Sequence, residues 1–178
     1  DKITKTVIEK SFDMFKDKDC SFSVNLSILD IQNSDVVAFI FKKLEESDIG
    51  SRVVFEIVES EGVDSYDELY SFREHIKLFG SKISIDDFGA GYSNFDHILK
   101  LNPDFIKIDG SLIKNIDKDD SARILTKAIV GFAKELGSKT IAEFVHSKEV
   151  FDVVCALGID YSQGYFISEP RPCLLHNS

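Results

Sequence analysis

Six times along this chain, a run with helical periodicity gives way to a short run that reads as a strand. Strands are predicted over residues 21–26, 52–58, 82–85, 104–109, 139–144 and 159–166. An opening amphipathic helix is expected to bury Ile3, Val7, Ile8, Phe12 and Phe15. Ser34 is expected to cap a helix carrying Val37, Ile40, Phe41 and Leu44, with Gly50 as its stop. The next helix places Leu69, Phe72, Ile76 and Phe79 on one face and ends at Gly80. A short helix over 94–99 follows the third strand. Asp120 or Ser121 then caps a long helix with the stripe Ile124, Leu125, Ala128, Ile129, Phe132 and Leu136. Ser147 starts the last, bearing Val150, Val153, Val154 and Leu157. Such alternation requires parallel strands with helical crossovers, in either a doubly wound sheet or a βα barrel.

Polar residues separate the two. Asn25, Glu56, Asp86, Lys107, Glu143 and Gln163 each fall near the carboxyl end of a different consecutive strand. A barrel aims all its strand ends at one pocket, so six such residues converge. An open sheet collects ligands at one switch point, usually beside a glycine-rich phosphate loop after the first strand, and that loop is absent. The expected architecture is therefore α/β, a TIM-like (β/α) barrel with about six of its eight strands. The other two are expected on the amino-terminal side, before Asp1.

The third strand runs into Asp86-Asp87-Phe88-Gly89-Ala90-Gly91. Adjacent carboxylates repel unless a proton or cation sits between them. A divalent metal pair sharing one carboxylate is a common solution. The plainer alternative is a turn in which Asp87 caps the segment starting near Ser93. Asp87-Phe88-Gly89 also imitates a kinase metal-binding tripeptide, but no phosphate loop or catalytic-loop motif precedes it. A phosphoacceptor built on Asp86, Asp87 and Lys107 has the wrong order and too many strand-end acids.

The length of 178 residues, 43% of them hydrophobic, suits one domain spanning 1–178. A formal charge of −10 without a basic run argues against polymeric nucleic acid or an anionic membrane as partner. A small anionic ligand stays feasible if metal ions neutralise its phosphates. Cys20, Cys155 and Cys173 fit neither a disulfide framework nor a zinc site, pointing to a reducing compartment. No apolar run is long enough to cross a bilayer and the first residues do not read as a signal peptide, so a cytoplasmic location is expected. His75, His97, His146 and His176 are scattered, without ligand spacing. Tyr92 and Phe95 are expected to pack the loop after the third strand.

Lined up, these positions resemble the EAL domain, the bacterial phosphodiesterase that opens cyclic di-GMP. The resemblance rests on Val24-Asn25-Leu26-Ser27, Phe55-Glu56-Ile57-Val58-Glu59-Ser60, the stretch from Asp86 to Ser93, Ile106-Lys107-Ile108-Asp109, Ala142-Glu143 and Gln163-Gly164-Tyr165. It covers nearly the whole chain in family order. It implies two Mg²⁺ or Mn²⁺ ions, one held by Asn25, Glu56 and Asp86 and the other by Asp86 and Asp87, with Glu143 as ligand or base. Lys107 would orient the attacking water or stabilise developing charge, Gln163 would help position it, and Glu59 would brace the loop from Asp87 to Ser93. The implied product is linear pGpG and the implied assembly a homodimer, with diguanylate cyclase or sensory domains flanking it in the parent chain.

Departures accompany the likeness. The Glu-Ala-Leu motif that names the family occurs nowhere in these residues and is expected on a missing upstream strand. The family's Ala-Glu-Gly-Val-Glu reads Ala142-Glu143-Phe144-Val145-His146 here, placing His146 where the family has an acid. Val58 replaces a threonine usual beside Glu59. Weak metal binding and poor turnover are expected of the chain as it stands. The alternative is a degenerate relative that binds cyclic di-GMP or only dimerises, but every family carboxylate within these residues is present.

Overall fold

The computed structural model describes residues 1–58, 66–91 and 95–171. Its strands are β1 (Phe22–Leu26), β2 (Val53–Val58), β3 (Lys82–Phe88), β4 (Phe105–Ile108), β5 (Lys139–Ala142) and β6 (Tyr161–Ser162). They form one sheet in strictly sequential order, with β1–β2, β2–β3 and β5–β6 in parallel register. A doubly wound sheet reverses its order at a switch point, whereas this one does not. The architecture is α/β with the strand order of a TIM-like (β/α) barrel, incomplete at six strands. Two compact units divide the chain: Asp1–Asp86 with Tyr92–Ile106, and Asp87–Gly91 with Lys107–Ser178.

In the first unit, α1 (Lys2–Phe15) buries Ile8 and Phe12, and the Phe15 ring stacks on Phe22 at 4.4 Å. Ile3 is 80% exposed and Val7 is exposed too, so the inward stripe is narrower than predicted. The sequence reading omitted α2 (Ile28–Gln32), although Ser27 and Asp30 form a reciprocal capping box that starts it. The cap of α3 (Ser34–Glu45) is Asn33, whose Oδ1 accepts from the Asp35 and Val36 amides, rather than Ser34. Gly50 opens a 3₁₀ turn, where a Cβ would lie 2.6 Å from the Phe79 carbonyl oxygen. Helix α4 (Asp67–Lys77) buries Leu69, Phe72 and Ile76 as expected, and α5 (Phe95–Leu101) follows β3.

The second unit adds α6 (Gly110–Ile113), also unanticipated, capped by Asp109. Asp119 caps α7 (Asp120–Leu136), one residue before the expected position. The inward face of α7 is Ala122, Thr126, Ile129 and Ala133, whereas Ile124 and Leu125 point to solvent. Three of these four inward side chains are small, which a rule favouring large ones misses, and only Ile129 was in the predicted stripe. Helix α8 (Lys148–Ala156) starts at Ser147 as predicted and buries Val150 and Val154. Both β5 and β6 are shorter than expected. Phe144 takes the left-handed conformation (φ 53°) just past β5, ending its extended run.

Candidate functional site

Strand β3 buries Ile83 and Ile85 on one face. In register, Asn25 lies beside Glu56 and Glu56 beside Ser84, so these three share the other face. Asp86 follows Ser84 by two residues and joins that face. Regular alternation would send Asp87 to the opposite side. Instead Asp87 adopts φ 56°, a left-handed conformation that aspartate tolerates better than most residues. Its carbonyl accepts from the Ala90 amide at 3.2 Å, closing a turn. With the alternation broken, Asp86 and Asp87 each offer a carboxylate oxygen to one group with Glu143, all within 4.8 Å of one another.

Glu143 stands one residue past β5, where its amide donates to the Ile108 carbonyl at 3.2 Å. Its carboxylate takes the Lys107 ammonium at 2.8 Å. Lys107 is in β4 and only 4% exposed. A lysine so buried needs such a partner, since desolvating a lone cation costs several kcal/mol. Asp86, Asp87 and Glu143 supply three negative charges against the single positive charge of Lys107. Their donors are carboxylate oxygens, the ligand type hard divalent cations prefer, so the residues fit Mg²⁺ or Mn²⁺.

Gln163 directly follows β6. Its amide donates to the Ala142 carbonyl at 2.8 Å and its own carbonyl accepts from Val145 at 3.0 Å. Together with Glu143, Phe144, His146 and Tyr165 it lines a cavity of about 520 Å³. His146 is exposed, its Nδ1 lying 3.2 Å from the Phe144 carbonyl oxygen, and does not join the carboxylate group.

Of the predicted site residues, then, the structure gathers Asp86, Asp87, Glu143 and Lys107, sets Asn25 beside Glu56, and puts Gln163 on the cavity. Glu59, Tyr92 and Ser93 lie outside the described residues. Phe95, expected to pack the loop, is 46% exposed. Sequence reasoning gave no role to Phe144; the glycine at this place in the resembling motif was the available signal. His97 is buried, stacked on Tyr66 at 3.5 Å, with Nδ1 3.0 Å from the Tyr70 hydroxyl.

Comparison with known proteins agrees with this geometry. A family model described as the EAL domain matches residues 1–170. Cyclic di-GMP phosphodiesterase PdeB of Shewanella oneidensis is 31% identical across 96% of this chain, which covers 21% of that protein. Cyclic di-GMP phosphodiesterase PdeA of Borreliella burgdorferi is 32% identical across 85% of this chain and 23% of its own length. The chain thus spans about a fifth of these relatives. Among solved structures, PaMucR phosphodiesterase in complex with c-di-GMP superposes with a TM-score of 0.87 at 26% identity, over 96% of this chain and 72% of its own. An EAL domain protein from Listeria monocytogenes superposes with a TM-score of 0.83 at 27% identity, over 96% of this chain and 68% of its own.

Proposed function

Because the chain belongs to the EAL domain family, we propose that it is the greater part of a metal-dependent phosphodiesterase domain that hydrolyses cyclic di-GMP to linear pGpG in bacterial second-messenger signalling. The observation that carries this reading is the meeting of Asp86, Asp87 and Glu143, with Lys107 against Glu143. Asn25, Glu56 and Asp86 would hold one Mg²⁺ or Mn²⁺, and Asp86 and Asp87 the other, with Glu143 close by as ligand or base. When bound, the pair supplies an acidified water and neutralises charge on the attacked phosphate.

The chain's own residues do the rest. Lys107, held in place by its ion pair, faces the negative charge that develops as water oxygen adds to phosphorus and the bond to the 3′ oxygen breaks. Glu143 takes the water's proton where it is not engaged as a ligand, and Gln163 positions that water. In this reading residues 1–178 form a single cytoplasmic EAL-type domain that acts as a homodimer, with cyclase or sensory domains elsewhere in the parent. With no Glu-Ala-Leu strand among its residues, the chain by itself turns over poorly, because metal affinity follows ligand count.

The test compares Mn²⁺-dependent formation of pGpG by these 178 residues and by the chain extended upstream. The extended protein is expected to be at least about tenfold faster, the loss typical when support for a metal site is removed. Equal, robust rates would refute the ligand argument. No turnover by either, without any thermal shift from Mg²⁺ or Mn²⁺, would leave a scaffold or binding module.

A further inference from the structure

Phe144 is one of three non-glycine residues with positive φ among the described residues, and it is the bulkiest. The left-handed conformation costs an ordinary side chain about 1–2 kcal/mol, which a glycine would avoid. Its neighbours leave it no choice. The Glu143 amide is tied to Ile108, the Val145 amide to Gln163 and the Val145 carbonyl to Phe166. A one-residue kink between two pinned flanks turns the ring out beside the Glu143 carboxylate, where it stays 53% exposed on the cavity wall.

The surroundings accommodate that ring. A Cβ on Gly110 would lie 2.9 Å from the Phe144 Cβ, so α6 must begin with glycine for the phenylalanine to fit. Lys114 Nζ sits 5.9 Å from the ring centroid, and the His146 ring lies at 5.6 Å, tilted by 50°. An aromatic face kept in view of solvent, at a backbone cost and next to the carboxylate group, suits a planar ligand better than a core contact. The cavity volume of about 520 Å³ is in the range of small-molecule sites. Asp109 and Gln163 give its rim polar partners for a base edge.

We propose that Phe144 is a specificity-determining residue, the platform on which a purine base of the substrate stacks beside the phosphodiester site. The inference rests on the phosphodiesterase reading and deepens it, since that reading assigns residues to the phosphate and none to the base. Stacking of a base on an aromatic side chain contributes about 1–3 kcal/mol, enough to offset the strained backbone.

The chain contains no tryptophan, so Phe144→Trp places a single tryptophan, excited apart from the tyrosines, at the proposed platform. Its fluorescence is expected to be quenched saturably by cyclic di-GMP and by GMP, and not by ribose 5-phosphate. Phe144→Leu keeps the bulk without the π face and is expected to weaken cyclic di-GMP binding by about tenfold in calorimetry, within the range stacking allows. Phe144→Gly relieves the backbone, guards against a folding artefact, and is expected to show the same loss. Unaltered affinity in the Leu and Gly variants, or quenching no stronger with GMP than with ribose 5-phosphate, overturns the proposal. If guanine ligands quench but cyclic di-GMP is not hydrolysed even by the chain extended upstream, stacking stands and the phosphodiesterase reading falls. If hydrolysis proceeds without quenching, the reverse holds.

Discussion

Substituting Asp87→Asn separates the carboxylate group's electrostatic burden from its metal-binding use, because the two effects have opposite signs. Asp87 and Glu143 offer oxygens within 4.8 Å of each other. At an effective dielectric near 20, two like charges at that separation repel by about 3 kcal/mol, and the attraction of Lys107 for Glu143 at 2.8 Å is about 6 kcal/mol. The group is half-buried, so hydration and screening leave about 1 kcal/mol of the repulsion as the gain expected from removing one charge. Asparagine is also at ease in the left-handed conformation of residue 87, so the exchange adds no backbone strain. In EDTA the variant should therefore melt higher than wild type, by about 3 °C for a chain of this length. Metal reverses the order. At one hundred times Kd, Mn²⁺ stabilises the wild type by about 2.7 kcal/mol, or about 5–10 °C, whereas the variant has lost a ligand and should hardly respond. The assay is thermal denaturation with EDTA and with a Mn²⁺ series, at low and at physiological salt. A lower melting point for the variant in EDTA, or an undiminished Mn²⁺ response, would refute the argument.

Two further outcomes follow from His97 and Gly164. Burial pushes the His97 imidazole down to about 4, outweighing the neighbouring Asp96, which acts upward. The unfolded chain binds a proton there from about pH 6.5 downward while the folded one does not, so stability falls as pH drops to about 4, by about 3 kcal/mol over that span. His97→Phe preserves the stack on Tyr66 and should flatten this slope in urea unfolding; an unaltered slope would place the titration elsewhere. At Gly164 a Cβ would lie 2.2 Å from the Val145 carbonyl oxygen. Gly164→Ala should cost about 3 kcal/mol or more and, by displacing Gln163, slow turnover at least tenfold; melting and pGpG formation measured together would expose either failure.

Much of the fold was legible because it is written in periodicity. Leu69, Phe72 and Ile76 fall inward as predicted, and Ser147 caps α8 as predicted. What escaped was short or set by packing. Helices α2 and α6 have five and four residues, too few for a periodic signal, although the Ser27–Asp30 box was there to be found. The inward face of α7 went to Ala122, Thr126 and Ala133 as well as to the predicted Ile129, and no local pattern records how near a neighbour comes. The strand-end residues were visible as polar interruptions. The backbone departures beside them were not, because φ at Asp87 belongs to a turn closed by Ala90 and φ at Phe144 is set by bonds of its flanks to Ile108, Gln163 and Phe166.

That last point bears on why these sites tolerate strain. Two of the three left-handed non-glycine residues stand at the ends of site-bearing strands, Asp87 one residue before the end of β3 and Phe144 just past β5. Had Asp87 kept the alternation of β3, its carboxylate would face away from that of Asp86 and the three-acid group could not form. Had residue 144 been extended, β5 would have continued and its side chain would have followed the strand's alternation instead of turning onto the cavity. Each departure costs about 1–2 kcal/mol and survives because the strands on either side are pinned. Strain can be relieved there without loss of fold: asparagine at 87 and glycine at 144 both remove something the chemistry uses and nothing the sheet requires. Variants that gain stability while losing metal response or base discrimination are therefore expected at these two positions, and not at Asp86, whose backbone follows the sheet.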